Sequence, residues 1–235
     1  MLAHIRSVFL PAALAALAGP GAALADSPVL IELFTSQGCS SCPPADALLE
    51  QFAARDDVVA LGLHVDYWDY LGWADEFARA EHTRRQKDYS RAHQDRMIYT
   101  PQMVIDGVAR IPGNRALAVQ RAVDERQLLK PEGPDLALSR SAAGLKVVAG
   151  AERLPDGPVD VMVAAFDPAR KVAIGAGENA GHHIAYANVV SKLQNAGQWD
   201  GTSRLEFTVE MPDGPVAVFL QRPGMGEVIA AAQLR

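Results

Sequence analysis

Past its first residues the chain has no apolar run of membrane-spanning length, no dense run of lysine or arginine, no internal repeat, and only two cysteines in 235 residues. Each absence excludes something. A transmembrane helix needs about 20 predominantly apolar residues, so no membrane span is expected in the mature chain. Nucleic acid is not an expected partner, because the formal net charge is −6 and the basic residues are dispersed. A secreted disulfide scaffold would scatter several cysteines, whereas both of these fall in the one segment Cys39-Ser40-Ser41-Cys42. The pair therefore reads as a single functional unit.

The start of the chain supplies the compartment. His4 and Arg6 precede the apolar run Val8 to Ala18, followed by Gly19, Pro20, Gly21 and the small-residue site Ala23-Leu24-Ala25. That is the pattern of a secretory signal peptide, residues 1–25, with cleavage leaving Asp26 first. The mature protein is expected to be periplasmic or secreted, with enough chain left for one large domain or two modest ones.

Two patterns divide the mature chain. Val29 to Phe34 is a strand-length apolar run, and Ala45, Leu48, Leu49 and Phe52 then repeat at helical spacing, so a strand feeds an amphipathic helix. Pro43 and Pro44 directly after the second cysteine suit a first helical turn, which puts the motif at the helix N-terminus. Val58 to Val65 reads as a second buried strand, and the mostly charged stretch Ala74 to Gln94 as an exposed helix. Gln102 to Ile105, the turn Asp106-Gly107 and Val108 to Ile111 read as a hairpin. Asn114 can cap a last helix through Leu128. Lys130-Pro131-Glu132-Gly133-Pro134 reads as a boundary, beyond which alternation takes over, in Val159 to Phe166 and Leu205 to Glu210. The expected architecture is an α/β domain over residues 26–130 followed by a small, mainly antiparallel β domain over 131–235.

A thiol attacks only as thiolate, and a helix N-terminus lowers a cysteine pKa below its ordinary value of about 8.5. Cys39, on the loop side of the turn, is the expected nucleophile, and Cys42 is placed to resolve a mixed disulfide. A passive staple is the competing reading, yet closing a loop of four residues stabilises a fold by only ~2 kcal/mol. Thr100-Pro101, just before a short strand, is where a cis peptide would face the cysteines. Glu32 is a carboxylate inside an apolar strand. Burial would raise its pKa towards a range useful for deprotonating Cys42; alternatively it is hydrogen-bonded at a rim for structural reasons. Trp68 and Trp73, with Tyr67 and Tyr70, read either as an apolar rim for substrate, shared with Thr100, or as scaffold packing. His64, a lone histidine ending a strand near the cysteines, reads as structural, His182 and His183 lie in the other domain with no recognisable ligand spacing, and no cofactor or metal is expected.

The order strand, C-x-x-C, helix, then Thr-Pro and an Asp-Gly hairpin resembles the thioredoxin superfamily. The stretch Glu32 to Asp46, together with His64-Val65-Asp66-Tyr67-Trp68, is similar to the bacterial secreted family called domain of unknown function 1223, and the likeness covers nearly the whole mature chain. The resemblance implies a thioredoxin-like first domain, Cys39 as nucleophile, Cys42 as resolving thiol and Pro101 as the cis-proline. The function it implies is an exported thiol–disulfide oxidoreductase acting on protein or small-molecule thiols, with room for an electron-transfer partner in the membrane. The alternatives are copper handling, with His64 or Met103 joining two thiolates that suit Cu(I), and a non-catalytic binding protein of the cell envelope.

Overall fold

In the computed structural model, residues 27–129, 133–150, 154 and 156–235 are described. The expected leader and the core of the expected boundary, Lys130 to Glu132, lie outside them.

The first elements follow the hydrophobic pattern. Strand β1 (Val29–Thr35) is buried throughout and leads through a short loop into helix α1 (Pro43–Ala53). Next come β2 (Val58–His64), α2 (Ala80–Ala92), β3 (Gln102–Ile105), β4 (Ala109–Pro112) and α3 (Ala116–Leu129). β1 pairs in parallel with β2 and antiparallel with β3, with Ile31 opposite Ile105. The β3–β4 turn is tight, with Asp106 at φ 45° and Gly107 at φ 72°. Both central residues in the left-handed region is the geometry that selects Asp-Gly. There is no room for a side chain there either, since a Cβ on Gly107 would collide with the Gly226 carbonyl.

The remaining strands are β5 (Leu136–Ser141), β6 (Gly144–Ala149), β7 (Val159–Ala173), β8 (His183–Trp199), β9 (Leu205–Val209), β10 (Val216–Gln221) and β11 (Val228–Leu234). They correct the expected fold class. An α/β thioredoxin-like domain followed by a small β domain would keep the two sets of strands apart. Instead one mixed sheet of eight strands runs β11-β10-β7-β8-β2-β1-β3-β4, and only β5, β6 and β9 form a second, three-stranded sheet. With three α-helices among the described residues, strands dominate the molecule.

The seam lies between β2 and β8, where Gly62 pairs with Val189. Gly62 has no side chain to hold β8 away, as a Cβ there would sit 3.2 Å from the Ala187 carbonyl. The Asn188 side-chain amide donates to the Ala60 carbonyl at 2.8 Å, standing in for a ladder bond.

Alternation along the strands gives the large sheet two dry faces. Leu30, Phe34, Val59, Leu61, Ala164, Phe166, Ala217 and Phe219 form one continuous core with Tyr89 of α2. The other face is shared. Ile31, Leu33, Val58 and Ala60 pack against α1 and α3, while Val161, Val163, Val216 and Val218 pack against the small sheet. No helix among the described residues is long and apolar enough to cross a membrane.

Candidate functional site: a disulfide at a helix start

Cys39 and Cys42 are disulfide-bonded. The loop that carries them is built by local bonds: Gly38 N–H donates to Ser36 Oγ at 3.1 Å, and Cys42 N–H to the Cys39 carbonyl at 3.1 Å. Cys42 is the N-cap of α1, and prolines fill the next two positions. Ala45 and Asp46 N–H both return to the Cys42 carbonyl. The helix start is thus sealed by its own backbone.

Cys39 is not on the open surface expected for an attacking thiol. It is 2% exposed and Cys42 is fully buried, while Ser40 and Ser41 between them are exposed. Two segments close over the pair. Asn179, in the turn between β7 and β8, donates from Nδ2 to the carbonyls of Gln37 at 2.9 Å and Cys39 at 3.0 Å. On another side Trp68 lies against Gly38, and its indole N–H donates to Thr100 Oγ1 at 2.8 Å.

The Thr100–Pro101 peptide is cis. Ser41 Oγ donates to the Thr100 carbonyl at 3.5 Å, and Gly113 nests Pro101 against Ala45 of α1. These contacts bring Thr100, Pro101 and Trp68 to the motif. Trp73 sits further back, its indole donating to Gln37 Oε1 at 2.7 Å while its ring packs over Gly175 and its Cβ lies against Gly177. Tyr70 is exposed and Tyr67 is half-buried on the core.

Glu32 takes no place at the cysteines. Strand alternation puts it with Leu30 and Phe34, on the face opposite α1, where Arg85 of α2 meets its two oxygens at 2.5 and 2.8 Å. Tyr89 OH donates to the same carboxylate at 2.7 Å. Of the two roles open to Glu32, the geometry fits the structural one: the carboxylate is fully hydrogen-bonded, though deep in the core rather than at a rim, and on the face away from Cys42.

The acid on the cysteine side is Asp46, one helical turn beyond Cys42. Thr35 Oγ1 donates to its Oδ1 at 2.8 Å, and its Oδ2 has no hydrogen-bond partner. Burial pushes its pKa from 3.8 up to about 7, against the lowering pull of His64 and of the Thr35 hydrogen bond. His64 is itself held by Asp75, Nδ1 to Oδ2 at 2.7 Å, and the same Asp75 oxygen accepts from Gln37 N–H at 2.8 Å. Tyr186 packs edge-on against the His64 ring, with its own hydroxyl buried and unpartnered. Asp46 was detectable in the sequence: Cys42, Asp46, Leu49 and Ala53 recur at helical spacing on one buried face. Asn179 and Tyr186 carried no such signal, being placed by the long β7–β8 arm.

Among the described residues no group of three or more His, Cys, Asp or Glu side chains is arranged to hold a metal ion. Met103 is in the apolar core under α1. His182 and His183 instead border a groove beside the motif.

Residues 30–221 match the family described as protein of unknown function (DUF1223). The chain belongs to this family. The solved structure of protein AGR_C_4864 from Agrobacterium tumefaciens is similar to this DUF1223 chain at 31% identity with a TM-score of 0.77, over 90% of this chain and 96% of that one. HBP35 of Porphyromonas gingivalis shares 14% identity with a TM-score of 0.59, over 89% of this chain and 75% of that one, a likeness of fold alone. A comparison with curated proteins finds no match.

Proposed function

We propose that this DUF1223 protein is an exported thiol–disulfide oxidoreductase working through Cys39 and Cys42, with a site that operates as in the thioredoxin superfamily. The observation that carries the reading is the pairing of a disulfide at a helix start with a buried acid one turn behind it, its pKa near 7 and one oxygen unpartnered. A passive staple needs no such acid, and an ionisable group is costly to bury without a role.

The chemistry is a balanced exchange. An incoming thiolate attacks Cys39 Sγ; its sulfur–sulfur bond forms as the Cys39–Cys42 bond breaks, and the electron pair leaves on Cys42. Protonated Asp46 gives its proton to that thiolate. A second thiolate then attacks the substrate sulfur of the mixed disulfide, and Cys39 leaves as thiolate and takes a proton from water, which also reprotonates Asp46; two thiolates become one disulfide and the protein becomes a dithiol. Run backwards, with Asp46 accepting the Cys42 proton, the same steps oxidise the protein. Thr100, Pro101 and Trp68 frame the cysteines, and the leader would deliver the mature chain to an oxidising compartment. Protein or small-molecule thiols are the substrates, and an electron-transfer partner in the membrane would reset the pair.

The deciding measurement is the reduction potential of the pair, by thiol labelling across glutathione or dithiothreitol buffers. A value between about −270 and −120 mV is expected, the span of exchanging enzymes; one below about −300 mV with slow exchange would mark a structural staple.

A further inference from the structure

Beside the motif, between the first turns of α1 and the start of β8, runs a groove of about 470 Å³. That is within the range of about 300–1,000 Å³ for small-molecule sites. One wall is Pro43, Pro44 and Ala47; the facing wall is Ile184 and Ala185. Its near end is Ser40, next to Cys39, and Asn179, which is bonded to the Cys39 carbonyl. Its far end carries Glu50. At about 1.5 Å per residue, the helix from Pro43 to Glu50 spans roughly 10 Å, the length of a short peptide rather than of a protein surface.

From this geometry we infer that the groove binds a low-molecular-weight peptide thiol with a free amino end, whose sulfur reaches Cys39 while its body lies along α1. The inference rests on the exchange reading above and names the substrate class. Three features select this occupant. The cysteines are buried, with Asn179 bonded to the Cys39 carbonyl and Trp68 against Gly38, so a bulky protein would first have to move those neighbours, whereas a small thiol can approach past exposed Ser40. The helix start has no free donor to capture an anion, because Pro43 and Pro44 lack N–H groups and the next two amides bond to Cys42. Recognition therefore falls to side chains. Asn179 has committed its Nδ2 to two carbonyls, which leaves Oδ1 to accept a ligand amide N–H; His182 and His183 can donate to a carboxylate, and Glu50 can pair with an ammonium.

The test follows reduction of the oxidised full-length mature protein by two probes, reduced glutathione and dithiothreitol, over a concentration series. Glutathione is the tripeptide probe; dithiothreitol has no amino, amide or carboxylate group for the groove to recognise. The glutathione rate should saturate while the dithiothreitol rate stays linear. In Ala47→Trp, which fills the groove from an exposed helix position, and in Glu50→Lys, which reverses its far-end charge, the ratio of glutathione to dithiothreitol rates should fall about tenfold, a loss of about 1.4 kcal/mol. A linear glutathione rate with an unchanged ratio in both variants would overturn the groove assignment and leave exchange standing. If neither probe reduces the parent, the exchange reading fails as well.

Discussion

Two buried carboxylates, Glu32 on strand β1 and Asp46 on helix α1, lie on opposite faces of the large sheet and are finished differently. Glu32 is closed on every side: Arg85 meets both oxygens, Tyr89 donates to it, and Gln221 joins Arg85 and Tyr89 into the same cluster. Asp46 has one donor, Thr35, and a bare oxygen beside the buried His64–Asp75 pair. Burial cost explains the contrast. A buried ion is tolerated when partners replace its lost hydration, and a group without them shifts its pKa and takes up a proton. Glu32 and Arg85 thus serve as a charged rivet joining β1, α2 and β10, whereas burial holds the Asp46 carboxyl well above the ordinary carboxylate range.

Breaking the rivet should have the largest effect. Arg85→Ala leaves Glu32 buried without its counter-charge, which typically costs about 3–5 kcal/mol. Urea unfolding would measure this, and the fraction that stays folded should exchange thiols at the parental rate. A loss of exchange without a loss of stability would mean that the Glu32 side of the sheet communicates with the cysteines.

Asp46→Asn should give the opposite pattern. The carboxyl titrates at 3.8 in the unfolded chain and at about 7 in the folded one, so the folded state holds the proton more tightly. Stability due to this group therefore falls as pH rises from about 4 to about 7, and the full cost applies above 7. At about 1.4 kcal/mol per unit, removing the charge should stabilise the protein on the order of 4 kcal/mol at pH 8 and leave it unchanged near pH 3. Exchange at pH 7 should drop by about a hundredfold, the lower end of general acid–base effects, and the deficit should shrink at alkaline pH, where thiols ionise unaided. An Asn variant with parental exchange at pH 7 would remove Asp46 from the mechanism.

The same contrast explains what could be read from the sequence. The motif, the helix behind it and the Asp-Gly hairpin were legible because each depends on local spacing or on a turn that only certain residues make. Glu32 stays open between two roles in the sequence because the strand shows an acid in an apolar run but not which face it takes, and its partner Arg85 lies in a stretch whose charge reads as exposure. In fact α2 buries His82, Thr83, Arg85, Gln86 and Tyr89. The single large sheet was illegible for a related reason. β7 and β8 do alternate as antiparallel strands, yet joining β8 to β2 depends on close approach at Gly62 and on one Asn188 side chain, features that have no periodicity.

The smallest effect separates the two sites through their tyrosines. Tyr89 OH is fully engaged, donating to Glu32 and accepting from Arg85 and from Gln221 Nε2 at 2.8 Å. Tyr186 OH is buried with no partner, and burial together with the nearby Asp46 raises its pKa. Removing a hydroxyl that serves a charged group costs about 1.5–3 kcal/mol, since the carboxylate and guanidinium lose a ligand they cannot replace. Removing one that makes no bond forfeits nothing and ends its desolvation cost, worth about 1 kcal/mol. Tyr89→Phe should therefore lower stability, and Tyr186→Phe should leave it unchanged or raise it slightly, both read as shifts in the urea midpoint at constant slope. Exchange adds a second axis: Tyr186→Phe alters the surroundings of Asp46 and should move the pH at which the rate is half-maximal, while Tyr89→Phe should not. Equal destabilisation by the two changes would show that Tyr186 is as fully bonded as Tyr89, and the distinction between a closed and an open buried acid would fall with it.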